Sequence, residues 1–171
     1  MKSLISILLA VLIVYSSSAG AADLAGVELG SQATVVGLEK LGIVVLGDGS
    51  QVRPGKTYRG KMRFDYVDAV TVVDVDQAGI ISGLRAEFQT PYFESMRDLA
   101  LKKWGKPVDG GTFALQGYIE KIAIWTAKDG SQITLESFDP SIEHGTLTKG
   151  SLVILSKEAA AAKRGSQGSS L

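Results

Sequence analysis

The sequence predicts an α+β fold, an antiparallel sheet with two helices packed on one face, in the order helix, strands, helix, strands. Two observations carry that expectation. Two amphipathic segments end in glycine, at VELGSQATVVGLEKLG (27–42) and PYFESMRDLALKKWG (91–105), and each is followed by β-rich runs punctuated by turn residues.

Taken in order, the chain opens with MKSLISILLAVLIVYSSSAGAADLAG. One Lys, an apolar run from Leu4 to Tyr15, three serines and Ala19-Gly20-Ala21 make a secretory leader with an A-x-A cleavage pattern. Cleavage is expected after Ala21 or Ala22. The apolar run is shorter than the ~20 residues of a membrane span, so the released chain is expected in the periplasm or outside the cell, without a stable membrane anchor. Residues 22–157 then form one α+β domain, with possible halves at 22–90 and 91–157. The Gly/Ser-rich end, 158–171, reads as a disordered tail.

Within the domain, Ser31 is placed to cap a short helix with Val35, Leu38 and Leu41 on one face and Gly42 as the stop. KTYRGKMRF (56–64) alternates as a half-buried strand, with Tyr58, Met62 and Phe64 inward and Arg59, Lys61 and Arg63 outward. Residues 67–89 read as a hairpin about Gln77-Ala78-Gly79, whose return strand sets Ile80, Leu84 and Phe88 against Arg85, Glu87 and Gln89. Thr90 is placed to cap the second helix, whose inner face is Phe93, Met96, Leu99, Ala100 and Trp104. Three strand-like stretches close the domain: 113–127, broken at Gly117, then 131–138 and 151–157.

The first helix, with Gly30-Ser31, Val35, Leu38 and Leu41-Gly42, resembles the opening of the SmpA/OmlA-type periplasmic domain, which shares its architecture with the β-lactamase-inhibitor protein. ESMRDLALKKWGKPV (94–108) looks like a second such helix, ending in Gly105-Lys106-Pro107. The resemblance covers about 30 residues and implies a tandem layout with a non-catalytic, protein-binding role in the cell envelope. It carries no site residues over.

Composition narrows the chemistry. Lys plus Arg number 18 against 18 Asp plus Glu, so bulk charge points to no nucleic-acid partner. No cysteine is present, which excludes disulfides, a thiol nucleophile and a lipidated cysteine. Asp74-Val75-Asp76-Gln77-Ala78-Gly79 begins like a calcium loop, but its later ligand positions fall on Ala78 and Arg85, so a hairpin turn is expected instead. Asp65, Asp68, Asp74 and Asp76 are candidates for paired carboxylates. Nothing in the alternating pattern around Asp74 and Asp76 would raise a pKa. His144, the one histidine, stands in a polar loop without a nucleophile turn elsewhere. Neither an enzyme nor a cofactor or metal site is therefore expected.

Binding surfaces are the remaining candidates. Arg53, Lys56, Arg59, Lys61 and Arg63 form a basic stripe, suited to an acidic partner or anionic envelope polymer, or to protecting an edge strand from pairing. Phe93, Met96 and Trp125 would line a ligand pocket if a cleft separated the second helix from the sheet. The leading expectation is an exported module that binds another envelope or secreted protein, as an inhibitor, assembly factor or immunity-type protein. A small-ligand carrier and a hydrolase using Asp74 or His144 are the alternatives. One further pattern stands out, since LGDGSQV (46–52) and AKDGSQI (127–133) are near copies whose shared chemistry is that of a turn.

Overall fold

The computed structural model describes residues 22–46, 51–115, 118–140 and 149–161. The leader, most of the first Asp-Gly-Ser-Gln copy, Gly117, His144 and residues 162–171 lie outside the described residues. The architecture is mostly antiparallel β, a seven-stranded sheet plus a two-stranded ribbon, which corrects the expectation of an α+β fold with two helices packed as a layer on the sheet: the helices that meet the sheet are too short to make one. The helical elements are short, and the reason is local.

The ribbon pairs β1 (Asp23–Leu24) with β2 (Val27–Glu28) through Ala25 and Gly26, both at positive φ. The first helix, α1 (Val35–Lys40), spans six residues, less than two turns. Val35, Val36 and Gly37 are all weak helix formers, so little propensity drives it further. Thr34 caps it, its Oγ1 accepting the Gly37 N–H at 3.0 Å. Ser31, the expected cap, instead donates to the Glu28 carbonyl.

What holds this short helix is tertiary packing. Leu38, Leu41 and Ile43 are buried, and Thr71 Oγ1 donates to the Leu41 carbonyl. Past the helix, Gly42 turns at φ 68° and runs against β3 (Thr57–Phe64) backbone to backbone. A Cβ on Gly42 would stand 1.9 Å from the Lys61 carbonyl oxygen, and one on Gly60 would stand 2.4 Å from that of Gly42. Only glycine at both positions permits that approach.

β3 pairs with β4 (Val67–Val75) and β4 with β5 (Ile81–Gln89). The β4–β5 turn is closed by Asp76, whose Oδ1 accepts the N–H groups of Ala78 and Ile80 at 2.9 and 2.8 Å. A register shift between Asp74 and Val75 turns Ile81 into the core and leaves Ile80 half-buried, against the alternation read from the sequence. A 3₁₀ turn at Thr90–Tyr92 leads into α2 (Phe93–Trp104). Thr90 does not cap this helix, because its hydroxyl donates to the Phe138 carbonyl. Four strands follow: β6 (Asp109–Leu115), β7 (Tyr118–Thr126), β8 (Gln132–Pro140) and β9 (Lys149–Leu155).

The sheet order is β3-β4-β5-β9-β8-β7-β6, so two antiparallel meanders, β3–β5 after α1 and β7–β9 after α2, meet where β5 pairs with β9. A rotation about an axis normal to the sheet lays one meander on the other with the core face preserved. It brings Met62 to Trp125, Thr71 to Leu135 and Ala86 to Leu152, all inward-facing. The core lies on one face, where α1, α2 and the ribbon cover Val67, Val73, Leu84, Trp125, Ile133, Leu135 and Ile154. After β9 the chain enters a helical turn with Ala160 buried, so the segment read as a tail begins in ordered structure. Among the described residues no helix is long and apolar enough to cross a membrane.

Candidate functional site

α1, α2 and the ribbon pack on one side, and among the described residues no element covers the other face of the sheet. Strand register places its side chains in rows. One row runs Arg59, Val72, Arg85, Val153, Thr134, Ile124 and a second runs Lys61, Val70, Glu87, Ser151, Glu136, Ile122. The third runs Arg63, Asp68, then Gln89, Lys149, Phe138, Glu120 and Phe113.

The two ends of this face differ in character. At the β3 edge the charges are largely satisfied: Arg59 Nη1 lies 3.8 Å and Arg85 Nε 3.3 Å from Glu87, and Arg63 Nε lies 3.7 Å from Asp68. Val72 is buried between its cross-strand neighbours Arg59 and Arg85. Arg59, Lys61 and Arg63 do form one row on the edge strand, while Arg53 and Lys56 lie in the segment before it, where the Arg53 N–H donates to the Tyr58 hydroxyl. The structure thus gathers three of the five basic residues and pairs two of those three.

The opposite corner, on β6, β7 and β8, is aromatic. Phe113 and Phe138 flank Glu120 from either side, and Tyr118 stands on the same face two residues along β7. Their residues are 49%, 41% and 43% exposed, whereas aromatic side chains on the covered face, such as Phe93 and Trp125, are under 5%. The Phe113 ring folds back over Gly111, 3.2 Å from where a Cβ would be, so the glycine gives the ring its seat. Half-buried Ile122 and Ile124 continue the apolar surface inward, and Glu136, bound by Ser151 Oγ at 2.8 Å, borders it with Lys149. Exposed aromatics interleaved with charged side chains suit a surface that binds another protein.

The sequence contained the signal for this site, because Phe113, Tyr118 and Phe138 fall on alternating positions of β-rich runs. What it lacked was which face the helices cover.

The other candidate positions resolve differently. Met96 and Trp125 fill the core: Trp125 packs on Trp104 with ring centroids 6.3 Å apart, and its Nε1–H donates to the Gly105 carbonyl at 2.8 Å. Phe93 is buried beneath Lys121, whose Nζ lies 5.5 Å from the ring centroid. It edges a cleft of about 400 Å³ between α2 and β6–β7, whose other walls include Glu94, Arg97, Asp109, Thr112 and Lys121. Glu94 there is held by Arg97 at 3.3 Å and Lys121 at 3.2 Å.

Asp74 accepts from Thr57 Oγ1 at 2.6 Å, and Asp76 is consumed by its turn. Among the described residues no three His, Cys, Asp or Glu side chains are grouped to hold a metal ion.

One carboxylate is shifted from its ordinary pKa. Burial works to raise the pKa of Asp129, but hydrogen bonds from the Ser131 hydroxyl, the Ser131 N–H, its own N–H and the Ala22 N–H outweigh that and hold it below its ordinary value. Asp129 belongs to the second Asp-Gly-Ser-Gln copy, which forms the β7–β8 hairpin turn with Gly130 at φ 85° and Ala127 N–H bonded to the Ser131 carbonyl. Compared with family models, curated proteins and solved structures, the chain matches none.

Proposed function

We propose that the chain is an exported, non-catalytic protein-binding module of the cell envelope, and that its partner seats on the Phe113–Tyr118–Phe138 corner of the open sheet face. The observation that carries this reading is three exposed aromatic side chains on the face of the sheet opposite α1 and α2, with Glu120 between the two phenylalanines and Glu136 and Lys149 beside them. Aromatic side chains are over-represented among the residues that carry binding energy at protein interfaces. The leader pattern at 1–21 supports export, and the resemblance of 27–42 and 94–108 to SmpA/OmlA-type domains supports an inhibitor, assembly or immunity-type role. The paired charges at the β3 edge fit the protection of an exposed strand from unwanted pairing.

The test compares tagged wild type, a Phe113→Ser/Phe138→Ser double variant and an Arg59→Ser/Lys61→Ser double variant as baits in envelope extract. Wild type and the edge variant should each hold a stoichiometric protein partner. The aromatic variant should lose it, by at least about 30-fold in affinity, the equivalent of one ~2 kcal/mol hot spot. Both phenylalanines are exposed, so the variant should melt as wild type does, separating lost binding from lost folding. Equal capture by all three baits, or no protein held by wild type, would sink the proposal.

A further inference from the structure

Asp-Gly occurs three times in the chain, at 48–49, 109–110 and 129–130. The first pair lies outside the described residues, and the other two are held in opposite ways. In the β7–β8 turn both Asp129 oxygens are taken by the residue two along, Ser131 Oγ donating to Oδ2 at 2.6 Å and the Ser131 N–H to Oδ1 at 2.9 Å. The Gly130 N–H is turned elsewhere, donating to the Ala127 carbonyl at 2.9 Å. At the head of β6 the arrangement is reversed: the Gly110 N–H donates to Oδ1 of Asp109, its immediate neighbour, at 2.7 Å.

A carbon–oxygen double bond is about 1.2 Å long, so the Asp109 carboxyl carbon lies within about 4 Å of the Gly110 nitrogen. Reacting atoms in a near-attack pair stand about 3–3.5 Å apart. The remaining distance is a small turn about the side-chain bonds, which an exposed side chain makes at little cost. Asp109 and Gly110 are both exposed and line the cleft between α2 and β6–β7, so water reaches them. Gly110 stands at φ 146°, and a Cβ there would lie 2.4 Å from the Ile122 carbonyl oxygen. The close approach of β6 to β7 therefore requires glycine, the residue that shields its own nitrogen least.

We propose that Asp109–Gly110 is a site of spontaneous modification, where the folded chain converts Asp109 to isoaspartate while the β7–β8 turn protects Asp129. The Gly110 nitrogen bonds to the carboxyl carbon of neutral Asp109, the amide proton is lost and the carboxyl hydroxyl leaves with it as water, giving a five-membered cyclic imide. Water then opens the ring. Opening at the side-chain carbonyl restores aspartate; opening at the main-chain carbonyl leaves the peptide running through Cβ and Cγ, with the former main-chain carbonyl as a free carboxylate. The water released in the first step is returned in the second, so the mass is unchanged. The isomer makes the main chain one atom longer at the residue paired with Ile124, just before Gly111, over which the Phe113 ring folds. β6 is thereby set out of step with β7 beneath the aromatic corner. The bearing of this on binding rests on the function proposed above; the chemistry does not.

The experiment holds purified chain at pH 6 and 37 °C, once folded and once unfolded in guanidinium chloride. Isoaspartate is located by electron-transfer fragmentation of tryptic peptides, which separate the three Asp-Gly pairs. In the folded chain Asp109 should isomerise at least about tenfold faster than Asp129, the difference made by the hydrogen bonds that hold the Asp129 carboxylate. In the unfolded chain the two should react at similar rates. Equal rates in the folded chain, faster reaction at Asp129, or the same Asp109 preference in the unfolded chain would overturn the proposal. Amide exchange across 110–114 should quicken as the isomer accumulates, and unchanged exchange would overturn the effect on β6. None of these measurements involves a partner, so their failure leaves the proposed binding surface standing.

Discussion

Ser137 is buried on the core face of β8, and its hydroxyl has no hydrogen-bond partner among the described residues. A buried hydroxyl without a partner costs its desolvation and returns nothing. Ser137→Ala should therefore be neutral or stabilising, by up to about 1 kcal/mol, read as a denaturation midpoint that stays or rises at unchanged slope; a loss of 1 kcal/mol or more would show that the hydroxyl is satisfied in solution. At this scale the sequence was partly legible. Tyr58, Met62 and Phe64 pack on the core and Arg59, Lys61 and Arg63 face outward, as strand alternation requires. The two helix caps were misplaced because a serine or threonine hydroxyl has several partners within reach. Ser31 found Glu28 and Thr90 found Phe138, a residue 48 positions away that no local pattern names.

Elements held by tertiary contact should fail when that contact is blocked, whatever their own propensity. α1 buries only Leu38 along its length and depends on Gly42 meeting Gly60 of β3. Gly60→Val adds a side chain that β-strands favour, yet its Cβ would stand 2.4 Å from the Gly42 carbonyl oxygen. The substitution should destabilise by at least about 2 kcal/mol, in the range of overpacking penalties, measured by thermal or chemical denaturation. A stabilised protein would mean that the segment after α1 does not lie on β3. The departure from the expected fold class arises at this same scale. Two glycine-terminated periodic segments read as two substantial helices, but the first spans six residues because valines and a glycine fill half of it. The β1–β2 ribbon, two residues to a strand, is too short to leave any alternation to read.

For the whole molecule, the two meanders that meet at β5 and β9 follow the spacing of the helix-ending glycines, Gly42 and Gly105, rather than the spacing of the Asp-Gly-Ser-Gln copies. The copied tetrapeptide marks turn chemistry, and in its second copy Asp129 closes the turn by accepting from the Ser131 N–H and hydroxyl. The candidate site was hidden for a global reason. Phe113, Tyr118 and Phe138 look like core aromatics until the helices choose a face, and that choice is made by the assembly of the whole sheet. The most direct test of the account places a photo-crosslinking residue at Tyr118 on the open face, at Val36 on α1, and at Val44 beyond it, all exposed, in the chain expressed in its native envelope. One discrete protein adduct is expected at Tyr118 and none at Val36 or Val44; adducts confined to Val36 or Val44, or no adduct at Tyr118, would contradict binding through the open face.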